Sequence, residues 1–166
     1  SYWDRGLERV PTLYKDIEEI VKKYPNSLIA TTACLGGELS VNTLNLINAE
    51  RMGDTDGAAA AHQNIVNFML WCKEQFGEDF YVECAPGCSA DQIKVNERLV
   101  SIAKAFGVKM VVGSDAHYLK KEDRFVHKAY LNSKGGEREV DDFYEYSYLQ
   151  TDEEIQEHLD KSFDNT

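Results

Sequence analysis

Apolar residues between positions 11 and 24 (Leu13, Tyr14, Ile17, Ile20, Val21 and Tyr24) recur at intervals of three and four, with Pro11 before them and Pro25 just beyond. That spacing predicts an amphipathic helix with a start and a stop signal. The run SLIATTAC at residues 27–34 is rich in β-branched and small residues and ends at Gly36-Gly37, which predicts a buried strand and a tight turn. Residues 41–56 read as a partly helical VNTLNLINAE followed by a MGDTDG loop, with boundaries the pattern leaves open. From residue 58 to 76, Ala61, Ile65, Phe68, Met69 and Cys72 again follow the helical period, and Gly77 supplies a C-cap. FYVEC at 80–84 predicts a second strand, Ser89 caps a helix that runs to Phe106 and stops at Gly107, and KMVVGSD at 109–115 predicts a third strand.

Strand, helix, strand, helix, strand at these distances implies right-handed crossovers and a parallel sheet, so the fold class is α/β, a mostly parallel sheet flanked by helices. Beyond it, residues 121–131 read as a helix, 133–142 as a polar turn and 146–149 as a short strand. Thr151 and Glu154 form a capping box for a final helix, DEEIQEHLDKSF. The expected organisation is one domain over residues 1–166, without internal repeats.

Charge narrows the functional classes. Eighteen Lys and Arg stand against 29 Asp and Glu, a formal charge of −11, which argues against a general grip on nucleic-acid backbone, since that affinity comes from cations displacing counterions. No apolar run approaches the roughly 20 residues that span a bilayer, and residues 1–9 lack a signal-peptide pattern. The expectation is a cytoplasmic protein with no membrane partner and with its four cysteines reduced. The absence of an initiator Met at Ser1 suggests a fragment.

In parallel α/β folds ligands gather where strands end. Those ends carry Cys34, then Glu83 with Cys84, then Asp115 with His117. Asp-Ala-His places two side chains on the same side of an extended chain, where both could reach one ion. Thiolate, carboxylate and imidazole together suit Zn, Mn or Fe, whereas Ca and Mg would not select sulfur. The bland readings stand beside this one: Cys34 as a small core residue, Glu83 as a salt-bridged or supporting carboxylate, Cys84 and Cys88 as structural residues, and His62, His127 and His158 as surface or packing residues without a partner at ligand spacing. The cluster Phe143, Tyr144, Tyr146 and Tyr148 reads as packing, because acidic neighbours would repel a nucleic-acid backbone. No Walker A, G-x-G-x-x-G or G-x-S-x-G motif occurs.

Three ordered blocks, LIATTACLGGEL (28–39), FGEDFYVE (76–83) and VVGSDAHYLKKED (111–123), together with NERLVSIAKAFGVKMVV and YSYLQTDEEI, resemble the polymerase-and-histidinol-phosphatase (PHP) domain of bacterial DNA polymerase III alpha subunits. The resemblance implies part of a distorted β/α barrel whose strand ends hold a metal cluster. It maps ligand roles onto Cys34, Asp115 and His117 and makes Glu83 a carboxylate that supports ligands without touching the metal. The His-x-His and later ligands of the family lie upstream of the region matched, so the chain resembles the C-terminal portion of the domain.

The resemblance further implies a piece of a replicative DNA-directed DNA polymerase, a nucleotidyltransferase whose palm, fingers and thumb are absent here. The resemblance then implies for the parent domain either metal-dependent 3′-to-5′ exonuclease proofreading or a structural role, while the isolated piece is inactive and no catalytic residue is assigned to it. A divalent metal (Zn, Mn or Fe) belongs to the complete domain, and this portion alone holds it weakly or not at all. Expected partners are the remaining polymerase domains, DNA through the parent, and a proofreading or clamp-associated subunit. Two other readings stay open. One is a free-standing PHP phosphoesterase, against which Cys34 counts because such members usually carry histidine there. The other is a noncatalytic docking platform for a proofreading subunit.

Overall fold

The computed structural model describes residues 12–133 and 142–163. The segments 1–11, 134–141 and 164–166 lie outside the described residues, and with them Pro11 and most of the polar turn expected at 133–142.

Helix α1 (Tyr14–Lys23) begins where the Asp16 carboxylate accepts the Leu13 N–H at 3.0 Å, and Lys22 and Lys23 sit at its negative end. It lies on the surface and buries no residue fully. Strand β1 is only Ala30–Thr31, which corrects the expected buried strand over residues 27–34. Two causes are visible. Among the described residues β1 has a neighbour on one side alone, and Leu28 and Ile29 before it are 43 % and 73 % exposed. Directly after it, the Thr32 hydroxyl intercepts the Glu83 N–H at 2.9 Å, and Ala33 turns the chain through a left-handed φ of 59°.

The ambiguous stretch at 41–56 resolves into helices. Helix α2 (Glu38–Met52) ends on Gly53 at φ 70°, and Asp54 then caps helix α3 (Thr55–Phe76) by accepting the Gly57 N–H at 2.9 Å. What reads as a six-residue loop is a two-residue hinge. After a short 3-10 turn (Gly77–Asp79) comes strand β2 (Phe80–Cys84). Helix α4 (Ala90–Phe106) starts where Ser89 Oγ accepts the Gln92 N–H and stops on Gly107 at φ 63°. Strand β3 (Lys109–Val112) is shorter than the predicted 109–115; Gly113 still donates to the Cys84 carbonyl at 3.0 Å before the chain leaves the sheet.

The sheet is parallel, in the order β1-β2-β3, with Ala30 opposite Phe80 and Tyr81 opposite Lys109. Helices flank it, which bears out the α/β class. Among the described residues the sheet has three strands and stays open, so the barrel implied by the resemblance is not formed by them. The core joins Leu39 of α2, Ile65 and Met69 of α3, Phe80 and Val82 of β2, and Val95 and Leu99 of α4, each at most 3 % exposed. Burial of these side chains is the main force holding helices to sheet.

Beyond β3 a 3-10 turn (Lys121–Asp123) leads into helix α5 (Arg124–Ser133). The strand expected at 146–149 is instead a single bridge between Tyr118 and Tyr148, following a 3-10 turn (Asp142–Tyr146). Helix α6 (Asp152–Phe163) opens with the predicted capping box: Glu154 Oε2 accepts the Thr151 N–H at 2.9 Å and Thr151 Oγ1 accepts the Glu154 N–H at 3.3 Å. Among the described residues no helix is long and apolar enough to cross a membrane.

His158 of α6 is buried and its Nδ1–H donates to Gln150 Oε1 at 2.8 Å. Burial, then the charge of Lys161, holds its pKa below the usual histidine range; Lys121 acts in the same direction, and Glu157 and Glu154 oppose. The folded state therefore disfavours the proton, which the unfolded chain takes up near its ordinary value of about 6.5. Stability from this group is complete above that value and is lost as pH falls through the lower folded value. Urea unfolding of wild type and His158→Gln between about pH 7 and pH 5 will show a shallower loss on acidification in the variant. Identical slopes would remove His158 from the acid response.

Candidate metal and phosphoester site

The loop that leaves β3 carries Asp115 and His117. Asp115 adopts φ 44°, a left-handed conformation costly for a residue with a Cβ, and its Oδ2 is buried with no hydrogen-bond partner. A carbonyl can only accept, so the 2.6 Å contact between His117 Nδ1 and the Asp115 carbonyl makes Nδ1 the protonated nitrogen. In the neutral ring Nε2 then carries the lone pair, which is how a histidine is prepared to bind a metal. Asp115 Oδ1 stands 4.0 Å from the same ring nitrogen, and the two side chains are 27 % and 37 % exposed, within reach of solvent.

Glu83 projects from β2 on the side away from Phe80, Val82 and Cys84 and lies against Gly113, just beyond β3. A Cβ at Gly113 would stand 1.8 Å from Glu83 Oε1, so the glycine leaves the space that the carboxylate occupies. Cys34 sits half-buried in the turn after β1, where its carbonyl accepts the Gly37 N–H at 2.8 Å. It is not part of the hydrophobic core. All four cysteines are free: Cys72 and Cys84 are buried and Cys34 and Cys88 half-buried, and burial pushes the Cys72 thiol up to about 12.

Because β2 separates β1 from β3, the strand leading to Cys34 and the one leading to Asp115 and His117 are two strand spacings apart, about 9–10 Å of sheet. Among the described residues no group of three or more His, Cys, Asp and Glu side chains stands together where it could hold a metal ion. The donor chemistry of thiolate, carboxylate and imidazole suits a transition metal, and the orphaned Asp115 oxygen calls for a cation or a proton donor. The arrangement nevertheless falls short of the three or four converging ligands such an ion needs, so these residues alone do not fit a complete centre.

One neighbour is invisible to sequence spacing. His127 of α5 is 8 % exposed, stacks on Tyr118 at 5.4 Å and meets the His117 ring edge-on at 5.6 Å. Its Nδ1 is buried without a partner, and so is Nη1 of Arg124, whose guanidinium stands 5.9 Å from the Tyr144 ring. Burial, then His117 and Arg124, holds His127 below the usual histidine range and keeps it neutral. His127 does pack, as expected, but against a partner histidine ten positions away that a loop folds back onto it. The tyrosines also pack as expected: Tyr144 against both His117 and His127, Tyr146 against His158, and Tyr148 on Glu154. The side chain of Phe143 lies outside the described residues.

No family model matches the chain. Among curated proteins, it is 45 % identical over 161 residues to the probable DNA polymerase YorL of Bacillus subtilis, covering 96 % of this chain and 12 % of that protein. The same identity and coverage hold for the DNA-directed DNA polymerase of Bacillus phage SPbeta. DNA polymerase III subunit alpha of Borreliella burgdorferi is 37 % identical over 118 residues, 71 % of this chain and 9 % of that subunit. Nearly the whole of this chain is therefore similar to a segment that makes up about an eighth, 12 %, of proteins named as DNA polymerases.

Proposed function

We propose that this chain is the C-terminal portion of the PHP domain of a replicative DNA-directed DNA polymerase of the polymerase III alpha type, serving DNA replication as part of a larger nucleotidyltransferase. The observation that carries the reading is the 45 % identity sustained along 161 residues of polymerases about eight times longer. The parallel α/β frame and the strand-end Asp115–His117 pair support it. The acidic charge of −11 agrees with a module whose parent grips DNA through other domains.

In the complete domain, Cys34, Asp115 and His117 are proposed to meet ligands from strands that precede this chain, with Glu83 behind them. A divalent metal held there would supply the charge neutralisation that phosphodiester cleavage requires. The chain's own contribution is to fix the His117 tautomer through the Asp115 carbonyl and to hold a carboxylate oxygen ready. A second reading, a noncatalytic platform for a proofreading subunit, is favoured by the failure of three ligands to converge among the described residues.

The test uses the full-length parent. Cys34→Ser and Asp115→Asn will lower bound metal and 3′-to-5′ exonuclease activity while primer extension continues. Exonuclease absent from wild type, with extension intact, would select the platform. A parent that cannot extend a primed template would overturn the polymerase reading, and unchanged metal stoichiometry in Cys34→Ser would remove Cys34 from the site.

A further inference from the structure

A surface cleft of about 340 Å³ lies among helices α1, α2 and α3, lined by Tyr14, Glu18, Glu38, Asn64, Asn67, Phe68 and Trp71. Asn64, Asn67, Phe68 and Trp71 fall on one face of α3, Tyr14 and Glu18 are one turn apart on α1, and Glu38 opens α2. The Tyr14 and Trp71 rings stand perpendicular at 4.4 Å. Each aromatic polar tip then holds a carboxylate in place: Trp71 Nε1–H donates to Glu18 Oε1 at 2.8 Å, and the Tyr14 hydroxyl donates to Glu38 Oε2. Burial, then Glu38, pushes the Tyr14 pKa well above its ordinary range, so the phenol remains a donor.

The result is a wall of aromatic faces and two fixed carboxylates, each with one oxygen left to accept. Among the described residues no lysine, arginine or histidine lines it. Asn64 Nδ2 is turned away to Asn42 Oδ1 at 3.1 Å, which leaves the Asn64 carbonyl as a further acceptor. A site made of π-faces and acceptors, with no cation of its own, selects a cationic ligand. An ammonium would meet the charge alone. A guanidinium would also lay its flat face on an indole and direct several N–H groups to two carboxylates, which makes it the better match.

We propose that this cleft receives the guanidinium of an arginine side chain presented by a partner polypeptide, an interaction separate from the strand-end site and independent of the function proposed above. The negative charge of the chain as a whole, −11, favours approach of a basic partner.

The test takes the 166-residue chain carrying Trp3→Phe, so that Trp71 is the sole tryptophan, and titrates it with N-acetyl-arginine amide, N-acetyl-lysine amide and N-acetyl-citrulline amide. A saturable change in Trp71 fluorescence is expected with the arginine probe, about tenfold weaker binding with lysine, and none with citrulline. Glu18→Gln and Glu38→Gln, with unchanged far-ultraviolet circular dichroism, will each weaken arginine binding about tenfold. Asn67→Asp, which adds a charge at an exposed position of α3, will tighten it. Citrulline binding as well as arginine, lysine matching arginine, no saturable response, or indifference to all three substitutions would each overturn the proposal.

Discussion

Replacing Phe80 with alanine will destabilise the fold by about 3–5 kcal/mol, the range for deleting a buried aromatic side chain. Phe80 is 2 % exposed at the head of the central strand, pairs across the sheet with Ala30, and meets Phe68 edge-to-face at 6.5 Å. It belongs to the same cluster as Met69, Val82 and Leu99, so it ties both α3 and α4 to the sheet. Truncation loses the transfer energy of the ring and leaves a hole that helices on two sides cannot both close. Against a total stability of about 5–15 kcal/mol, that is enough to unfold much of the population under mild denaturant. Urea titration followed by circular dichroism measures it. Leu119→Ala, at a residue 71 % exposed, serves as the control and should change stability by less than about 0.5 kcal/mol. A Phe80→Ala cost as small as the control would show that the core is not where it is described.

The second large effect concerns the turn that holds Cys34. Gly37→Ala will cost about 1–3 kcal/mol, whereas Gly36→Ala beside it will be near neutral. A Cβ at position 37 would stand 2.3 Å from the Thr32 carbonyl oxygen and 3.0 Å from that of Cys34, both backbone atoms that cannot swing aside. A Cβ at position 36 meets only Cys34 Sγ, at 4.0 Å. Gly37 has an ordinary φ of −69°, so the glycine is required for space rather than for torsional freedom. Because the displaced atoms belong to the Cys34 turn and the start of α2, Gly37→Ala should also alter the rate at which a thiol reagent modifies Cys34. Equal stability of the two alanine variants would mean that the turn is looser than its geometry indicates.

Residues whose environment is local were legible in the sequence. FYVEC is bounded by Gly77 and Pro86 and fills the central strand as expected, and α4 runs from the Ser89 cap to Gly107 as its caps announce. Helix α2 was legible only in part, as the helical tendency of VNTLNLINAE without its bounds, because it packs against both α3 and α4 and its apolar residues are not confined to one stripe. The excess length assigned to β1 has a different cause. Composition reports that a segment suits a strand, not that a threonine hydroxyl will take the next ladder position or that, among the described residues, one side of β1 has no neighbour. For the candidate site, Asp115 and His117 are adjacent by spacing alone and the structure brings them together. Cys34 depends on strand order, which places β2 between. His127 depends on a loop returning α5 to His117, a contact across ten positions that no local period encodes.

The central place of β2 also sets an order of opening. It is hydrogen-bonded on both sides, whereas β1 and β3 each have a single neighbour among the described residues. Its side chains at 80, 82 and 84 are buried under helices. Apart from the Glu83 amide, which the Thr32 hydroxyl holds at the β1 margin, amide hydrogens of β2 should be the last to acquire deuterium and should report the global unfolding free energy. Amides at the short β1 margin will exchange through smaller openings. The turn bearing Cys34 is thereby fastened to the part of the sheet that yields first, and the residues around Glu83 to the part that yields last.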